Sequence, residues 1–241
     1  KECERPSLLS SAMRYAVGTG CKRVRPMICL ASAEAVGGKA EDAAYAAAAI
    51  ELLHNYTLVH DDLPAMDNDV ERRGRPTVWK KYSECDAILA GDALQALAFM
   101  AAVKSPNGGA VAAALASKAY GVVAGQVEDV AREKKNAENV DIPFIYEHKT
   151  ADLFVAAALM GAHSAFADEK CVERLRVFAL NLGLAFQYQD DLIDGDSPYS
   201  EEETKRLSEE STRLALEALE GLPGDTTFLK SIASSLLGRK V

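Results

Sequence analysis

Residues 40–69 read AEDAAYAAAAIELLHNYTLVHDDLPAMDND, and this stretch decides the fold. Residues 40–61 are rich in alanine, the best helix former, and they begin with Glu41 and Asp42, whose charge suits a helix N-terminus. Pro64 has no backbone N–H to donate, so it predicts that the helix ends or kinks there. The stretch therefore predicts a long apolar helix over 40–61 that ends on a cluster of carboxylates.

Helical periodicity continues through the rest of the chain, and the sequence shows no sustained alternation of apolar and polar residues, the strand signal. Glycine and proline mark the breaks. The pattern predicts helices over 7–17, 25–36, 40–61, 86–103, 110–133, 143–166, 169–194, 201–220 and 226–238. This pattern predicts an all-α fold, one large helical bundle. Because no repeat and no serine- or glycine-rich linker interrupts the helices, we expect a single domain over 1–241.

Composition and charge exclude several classes of protein. The chain has 241 residues, of which 49% are hydrophobic and 26% charged, so it is not a disordered protein. Its net charge of −9 repels nucleic-acid phosphates, which argues against a nucleic-acid partner. Its five cysteines form no C-x-x-C pair, which indicates a reducing compartment.

The sequence also bears on membranes and location. The longest apolar run, 43–50, is too short to span a bilayer, and the first residues, KECERPSLL, lack the apolar core of a signal peptide. We therefore expect a cytoplasmic protein without stable membrane insertion. A targeting segment already removed from the chain is compatible with this expectation.

The first acidic cluster lies where the apolar helix ends. It contains Asp61, Asp62, Asp67 and Asp69, whose charges repel one another, and the helix C-terminal dipole also disfavours them. A hard cation with oxygen ligands would compensate this charge. If Pro64 ends the helix, Asp67 can return toward Asp61. The alternative is a solvated acidic helix end.

A second acidic cluster follows the apolar run 177–186. Asp190 and Asp194 are four residues apart and share one helix face, with Asp191 beside them. A solvated helix end is again the alternative. Two such clusters suggest a shared Mg²⁺ site, and Mg²⁺ keeps coordination positions for phosphate oxygens. The sequence therefore predicts chemistry on a diphosphate.

Two basic runs would suit the phosphates of such a substrate. They are KRVRP at 22–26 and RRGRP at 72–76, both in glycine-containing turns. Arginine forks match phosphate oxygens, and backbone N–H groups in such turns can also face an anion. For each run alone, a solvated basic loop is the alternative.

Seven motifs in order resemble those of the trans-polyprenyl diphosphate synthases over residues 8 to 196. They are KRVRP, DDLPAMD, RRGRPT, GDAL at 91–94, GQVED at 125–129, HKT at 148–150 and FQYQDDLID at 186–194. The resemblance implies the isoprenoid synthase fold, a helical bundle around a deep central cavity, usually as a homodimer. It also implies a Mg²⁺-dependent prenyltransferase that condenses isopentenyl diphosphate with an allylic diphosphate, dimethylallyl or geranyl.

The resemblance assigns roles to individual residues. The residues implied to bind Mg²⁺ are Asp61, Asp62, Asp67, Asp190, Asp191 and Asp194. Those implied to hold isopentenyl diphosphate are Lys22, Arg23, His54 and Arg73. Those implied around the allylic diphosphate are Arg72, Lys149, Thr150 and Gln187. Lys149 is also counted as catalytic, together with Asp61, Asp62, Asp67, Asp190 and Asp191, whereas His60, His148 and His163 are expected to be structural.

The family pattern is not met after Asp194, where a glycine-lysine pair and a later lysine are usual. The chain runs instead through SPYSEEETKRL, so either this loop is short or part of it is missing from the sequence. We therefore assign no role to Lys205.

Product length depends on the residues just before the first acidic cluster. Tyr56 and Thr57 lie five and four residues before Asp61, about one 5.4 Å turn beneath it. A tyrosine there can form the floor of an apolar channel, which predicts a fifteen-carbon product, farnesyl diphosphate. The alternatives are a geranylgeranyl product, or a Tyr56 that belongs only to core packing.

Other functions stay open at this point. They are a terpene cyclase, a head-to-head condensing enzyme, a non-catalytic partner subunit of a heteromeric prenyl synthase, and a helical scaffold with incidental acidic clusters.

Overall fold

The computed structural model describes residues 8–18, 22–133 and 140–237. The helices are α1 Leu8–Val17, α2 Val24–Ala35, α3 Ala44–Asp61, α4 Val78–Lys81, α5 Glu84–Ala102, α6 Gly108–Glu133, α7 Ile142–Ile145, α8 Asp152–Ser164, α9 Glu169–Asp194, α10 Glu201–Ala218 and α11 Thr227–Leu237. A 3₁₀ turn, Ala40–Ala43, leads into α3. The described residues therefore form an all-α fold, as the sequence predicts.

Helix α8 is the centre of the bundle. It packs against α2, α3, α6 and α9, and almost every side chain along it is buried, including Phe154 and Met160. A helix that is apolar on all sides needs such an environment, because any exposed face would leave apolar surface in water. Pairs α3–α5 and α9–α10 complete the packing around it.

Side-chain caps define several helix starts. Ser83 accepts a hydrogen bond from the N–H of Asp86 at the start of α5, and Asp168 accepts one from the N–H of Cys171 at the start of α9. Such caps satisfy N–H groups that have no partner within the helix. Gly195 ends α9 with a φ of 71°, a conformation that favours glycine.

Three features differ from the sequence expectation, and one is the short helix α4 Val78–Lys81, which no predicted helix covers. Two short antiparallel strands, β1 Glu71–Arg72 and β2 Arg75–Pro76, form a hairpin. Alternation of apolar and polar residues does not predict it, because each strand has only two residues. The predicted helix over 143–166 is divided into α7, a π-helical segment at Tyr146–Ala151, and α8. The first residue of predicted helix 7–17 and the last residue of predicted helix 226–238 lie outside the described residues.

Candidate active site

The first acidic cluster forms a turn directly after α3. The N–H of Asp67 donates to the carbonyl of Asp61 at 3.0 Å, and the N–H of Asn68 donates to that of Leu63 at 3.0 Å. The predicted return of Asp67 toward Asp61 is therefore confirmed. Burial, followed by repulsion from Asp67, raises the pKa of Asp61 to about 7, and burial also raises the pKa of Asp67.

Asp62 lies beneath this turn and is held by the hairpin. Its buried carboxylate accepts a 2.6 Å hydrogen bond from Nε of Arg72, and Arg72 also pairs with Asp69 at 3.1 Å. Burial raises the pKa of Asp62 to about 6 despite that pairing. Arg72 therefore ties the hairpin to the acidic turn.

The second acidic cluster is held by polar side chains of neighbouring elements. Asp191 is buried and accepts hydrogen bonds from the hydroxyl of Tyr146 and, at 2.8 Å, from Nε2 of Gln187. The hydroxyl of Thr150 donates in turn to Oε1 of Gln187 at 2.6 Å. This chain of hydrogen bonds joins the π segment to α9.

A polar cavity of about 360 Å³ lies between α6, the π segment and α9. Lys149 enters it and pairs with Asp129 of α6. Burial lowers the pKa of Lys149, but Asp129 and the nearby Asp61 outweigh this effect, so the pKa lies above its usual value. The residues lining the cavity are Asp129, Arg132, Ile145, Tyr146, Lys149, Thr150, Gln187, Asp191 and Asp196.

The predicted allylic site is therefore partly assembled. The cavity brings together Lys149, Thr150, Gln187 and Asp191, but Arg72 pairs with Asp62 and Asp69 instead. Half-buried Asp190 and exposed Asp194 are not among the residues described on its wall.

An apolar cavity of about 370 Å³ adjoins Asp61 between α3 and α6. Tyr56 and Thr57 both lie on its wall, and the Tyr56 ring contacts the His60 ring edge-on at 4.9 Å between centroids. The residues lining this cavity are Tyr56, Thr57, His60, Asp61, Leu63, Met66, Val122, Val123, Gln126, Val127 and Val130. An acidic turn thus borders an apolar chamber.

A basic cluster with buried nitrogen atoms lies where α2 and α3 meet. An η-nitrogen of Arg25 is 3.4 Å from Nε2 of His54, and neither Nε of Arg25 nor Nδ1 of His54 has a hydrogen-bond partner among the described residues. Burial lowers the pKa of Arg25 to about 10. Burial, followed by repulsion from Arg25 and Arg73, holds the pKa of His54 well below its usual value. Buried donors without partners beside several cations suit an incoming anion.

The same cluster bears on one sequence expectation, the role of Arg23, which stays a prediction. Arg23, predicted to hold a diphosphate, donates instead to Glu51 and, at 2.5 Å, to the carbonyl of Val17. The Nε of Arg25, a residue to which the sequence assigned no role, is buried in this cluster. The available signal was its membership of the same basic run. Lys22 is exposed, and Arg73 lies close enough to influence His54 electrostatically.

No three His, Cys, Asp or Glu side chains converge on a common point in the part of the chain that the structure describes. The six predicted aspartates are therefore not gathered into one ready-made ion site. Asp62 and Asp191 already accept hydrogen bonds from protein donors, whereas Asp61 and Asp67 repel each other. Carboxylate oxygens in that state fit Mg²⁺, a hard cation that completes its shell with phosphate oxygens and water.

Known proteins share this fold and much of this sequence. A family model described as polyprenyl synthetase matches residues 6–234. The chloroplastic geranylgeranyl pyrophosphate synthase of Capsicum annuum is 46% identical over 198 residues, 78% of this chain and 54% of that protein. The chloroplastic heterodimeric geranylgeranyl pyrophosphate synthase large subunit 1 of Arabidopsis thaliana is 42% identical over 202 residues, 78% of this chain and 54% of that protein.

A solved structure extends the likeness to the whole fold. The crystal structure of an FPP/GFPP synthase from Zymomonas mobilis matches with a TM-score of 0.89 and 34% identity, over 96% of this chain and 89% of that one. The fold is thus the all-helical isoprenoid synthase fold. The matched region is about half the length of the two plant relatives. The family match over residues 6–234 and these identities show that the chain belongs to the polyprenyl synthetase family.

Proposed function

We propose that the protein is a Mg²⁺-dependent trans-prenyltransferase that condenses isopentenyl diphosphate with an allylic diphosphate to form geranylgeranyl diphosphate. The observation that carries this proposal is the position of Asp61, on the wall of the apolar cavity and within electrostatic reach of Lys149 in the polar cavity. A diphosphate bound among the polar groups would extend its prenyl chain into the apolar cavity. Family membership supports the same reading.

The basic cluster would hold the diphosphate of isopentenyl diphosphate. Arg25, His54 and Arg73 supply its charge and donors, with Lys22 at the exposed rim. Lys149, Thr150 and Gln187 would orient the allylic diphosphate on the other side. Separate sites for the two substrates would place the reacting carbons in a fixed geometry, which is a large part of catalysis for a neutral alkene nucleophile.

Mg²⁺, when bound, neutralises charge that develops on the departing diphosphate. Asp61, Asp62 and Asp67 would hold it from the first acidic turn, and Asp190, Asp191 and Asp194 from α9. Lys149 adds a cation near the same charge. The proposal needs no protein nucleophile, and the departing diphosphate itself would accept the final proton. The apolar residues around Asp61 would keep water away from the allylic carbocation.

Twenty carbons is the favoured product length. The Capsicum and Arabidopsis relatives are both named for geranylgeranyl pyrophosphate. The farnesyl prediction from Tyr56 stays unconfirmed, and the alternative product fits the relatives better. The Zymomonas structure, named for farnesyl and longer products, supports the reaction class without deciding the length.

Product analysis tests this proposal. The purified chain is incubated with isopentenyl diphosphate and each of dimethylallyl, geranyl and farnesyl diphosphate. We expect a twenty-carbon end product from all three, its loss in EDTA, and a fall of at least about a hundredfold in turnover for Asp61→Ala and Asp190→Ala. Tyr56→Ala should lengthen the product.

The outcomes separate the parts of the proposal. A dominant fifteen-carbon end product would restore the farnesyl reading. Product formation in EDTA would contradict the proposed requirement for Mg²⁺. Absence of product from every allylic substrate, with a folded protein, would favour the alternative of a non-catalytic partner subunit. One Arabidopsis relative is named as a subunit of a heterodimeric synthase.

We also propose a homodimer, because apolar side chains on α5 and α6 face solvent in the single chain. The cytoplasmic location predicted from the sequence is unconfirmed, since the plant relatives are chloroplastic proteins.

A further inference from the structure

A charged cluster on the outer side of the π segment has no part in the function proposed so far. Asp152 is 1% exposed at its side chain, and its carboxylate contacts Lys118 of α6 at 2.7 Å and Nδ1 of His148 at 2.8 Å. The His148 ring also packs against the Phe144 ring, tilted by 59° with 4.3 Å between centroids. These contacts join α6, α7, the π segment and α8 at one point. We refer to Lys118, His148 and Asp152 as the outer cluster.

The outer cluster and the pair that reaches the polar cavity lie on one face of α6. Lys118 and Asp129 are eleven residues apart, about three helical turns. Lys118 pairs with Asp152 just after the π segment, and Asp129 pairs with Lys149 inside it. In one ion pair α6 supplies the cation, Lys118, and in the other it supplies the anion, Asp129. Sliding or rotating the π segment along α6 would separate both pairs.

Two glycines between those pairs bring the backbones together. A Cβ at Gly121 would collide with the carboxylate of Asp152, and a Cβ at Gly125 would collide with the backbone N of Lys149. On the opposite side, a Cβ at Gly183 of α9 would collide with Ala151. The π segment is therefore closely packed between two helices. Such segments carry an extra residue per turn and occur often at functional sites.

We propose that Asp152, together with Lys118 and His148, is a positioning cluster that sets how far Lys149 and Thr150 reach into the polar cavity. The cluster does not touch the substrate. It fixes the register of the π segment on α6, and so the placement of the two side chains that would orient the allylic diphosphate. The identity of that substrate rests on the proposed function, whereas the placement of an anion site does not.

The experiment compares binding and kinetics in variants of the outer cluster. The variants are Asp152→Asn, which keeps the shape of the side chain, Lys118→Met, and the double variant, which leaves no buried charge unpaired. Lys118→Arg tests whether keeping the positive charge keeps the wild-type behaviour. Lys205→Met on α10 is the matched control, because it breaks an exposed lysine–glutamate pair. The readouts are the Kd of inorganic pyrophosphate with Mg²⁺ by calorimetry, the two KM values, and Tm.

We expect the Kd of pyrophosphate and the KM of the allylic substrate to rise roughly tenfold in the single and double variants, since small misplacements of binding groups have effects of this size or larger. The KM of isopentenyl diphosphate should stay within about twofold, and Lys118→Arg and Lys205→Met should match the wild type.

A lowered Tm with unchanged Kd and KM values would reduce the cluster to a structural role and overturn the proposal. An equal rise in both KM values would do the same. If Asp152→Asn and Lys118→Met do not fold, the double variant and His148→Leu are measured in their place. If the wild type forms no prenyl product, the proposed function fails, but the pyrophosphate Kd still reports on the positioning cluster.

Discussion

Two arginines near the basic cluster adopt a backbone conformation that arginine disfavours. Arg23 has a φ of 51° and Arg73 a φ of 55°, both in the left-handed region. Arg73 is followed by Gly74 with a φ of 72°, so the two residues form the tight turn that joins β1 to β2. Asparagine or glycine fits such a turn better. Two of the four non-glycine residues with positive φ among the described residues thus lie where cations converge, and backbone strain is common at functional sites.

Replacing Arg73 tests whether that strain serves binding. Arg73→Asn should raise Tm by about 2–4 °C, because relief of the strain contributes about 1 kcal/mol. The same change should raise the KM of isopentenyl diphosphate at least about tenfold. Phe166→Asn is the matched control, since Phe166 has a φ of 54° and is 67% exposed. It should raise Tm without changing kinetics, and any rise in KM there would count against the interpretation.

Asp61 presents a second conflict between stability and function. Its pKa is raised by burial to about 7, so ionising it costs folding free energy as the pH rises from its unfolded value near 3.8 through 7. In EDTA at pH 8, Asp61→Asn should therefore unfold at a higher temperature than the wild type, and the difference should vanish toward pH 4. Thermal scans across pH measure this.

The same variant reports on the metal. Mg²⁺ with pyrophosphate should stabilise the wild type, because a ligand that binds only the folded state raises Tm. The Tm of Asp61→Asn should rise much less on the same addition. An equal rise in Tm in both proteins would show that Asp61 is not part of the proposed metal site.

At the scale of elements, the hairpin that carries Arg72 and Arg73 is anchored on α1 by one aromatic residue. The hydroxyl of Tyr15 donates to the carbonyl of Pro76 at 2.7 Å, and the side-chain charges of Arg75 and Lys81 lie 4.4 and 3.7 Å from its ring centroid. Two cations therefore contact the ring, and its hydroxyl donates to the second strand.

Removing the Tyr15 hydroxyl should loosen the hairpin. Tyr15→Phe should raise the KM of isopentenyl diphosphate about fivefold, equivalent to one hydrogen bond of about 1 kcal/mol, with a smaller change in kcat. Tyr82→Phe is the control, because its hydroxyl donates to the carbonyl of Ser11 at 3.2 Å and does not touch the strands. Steady-state kinetics with each substrate varied in turn measures KM for both variants. An equal rise in KM for Tyr82→Phe would contradict the role of the Tyr15 hydroxyl.

At the scale of the whole molecule, α5 and α6 form an exposed apolar surface. Both helices are long and apolar enough to cross a membrane by length and composition, with 33% and 39% of the relevant windows buried. A surface of this kind on a single chain indicates a contact with another molecule. Its exposed members include Ile88, Leu89, Leu97, Met100, Val103, Tyr120, Val123 and Val127.

A charge placed on this surface tests the homodimer. Met100 is 52% exposed and is not among the residues lining the apolar cavity. Light scattering should give twice the 25.8 kDa chain mass for the wild type and the single mass for Met100→Glu. Phe166→Glu, on the loop after α8, should stay dimeric. A monomeric wild type that partitions onto lipid vesicles would contradict the proposal and assign the surface to a membrane.

Local features of the sequence were predictable because their causes are local. Alanine-rich periodicity determined the helices, Pro64 determined the end of α3, and both acidic clusters lie within a few residues of a helix end. The π segment was not predictable in this way. Its place depends on the close approaches of Gly121 and Gly125 from one helix and Gly183 from another.

Partners distant in sequence were decided only by the tertiary structure. The basic run 22–26 determined that cations would gather, but the packing of α2 on α3 decided that Arg25 meets His54 and that Arg23 turns to Glu51. Lys118 and Asp152 are 34 residues apart, and periodicity shows only that each lies on some face of its own helix. Which two faces meet depends on how the whole bundle buries its apolar surface, and no single segment of the sequence contains that information.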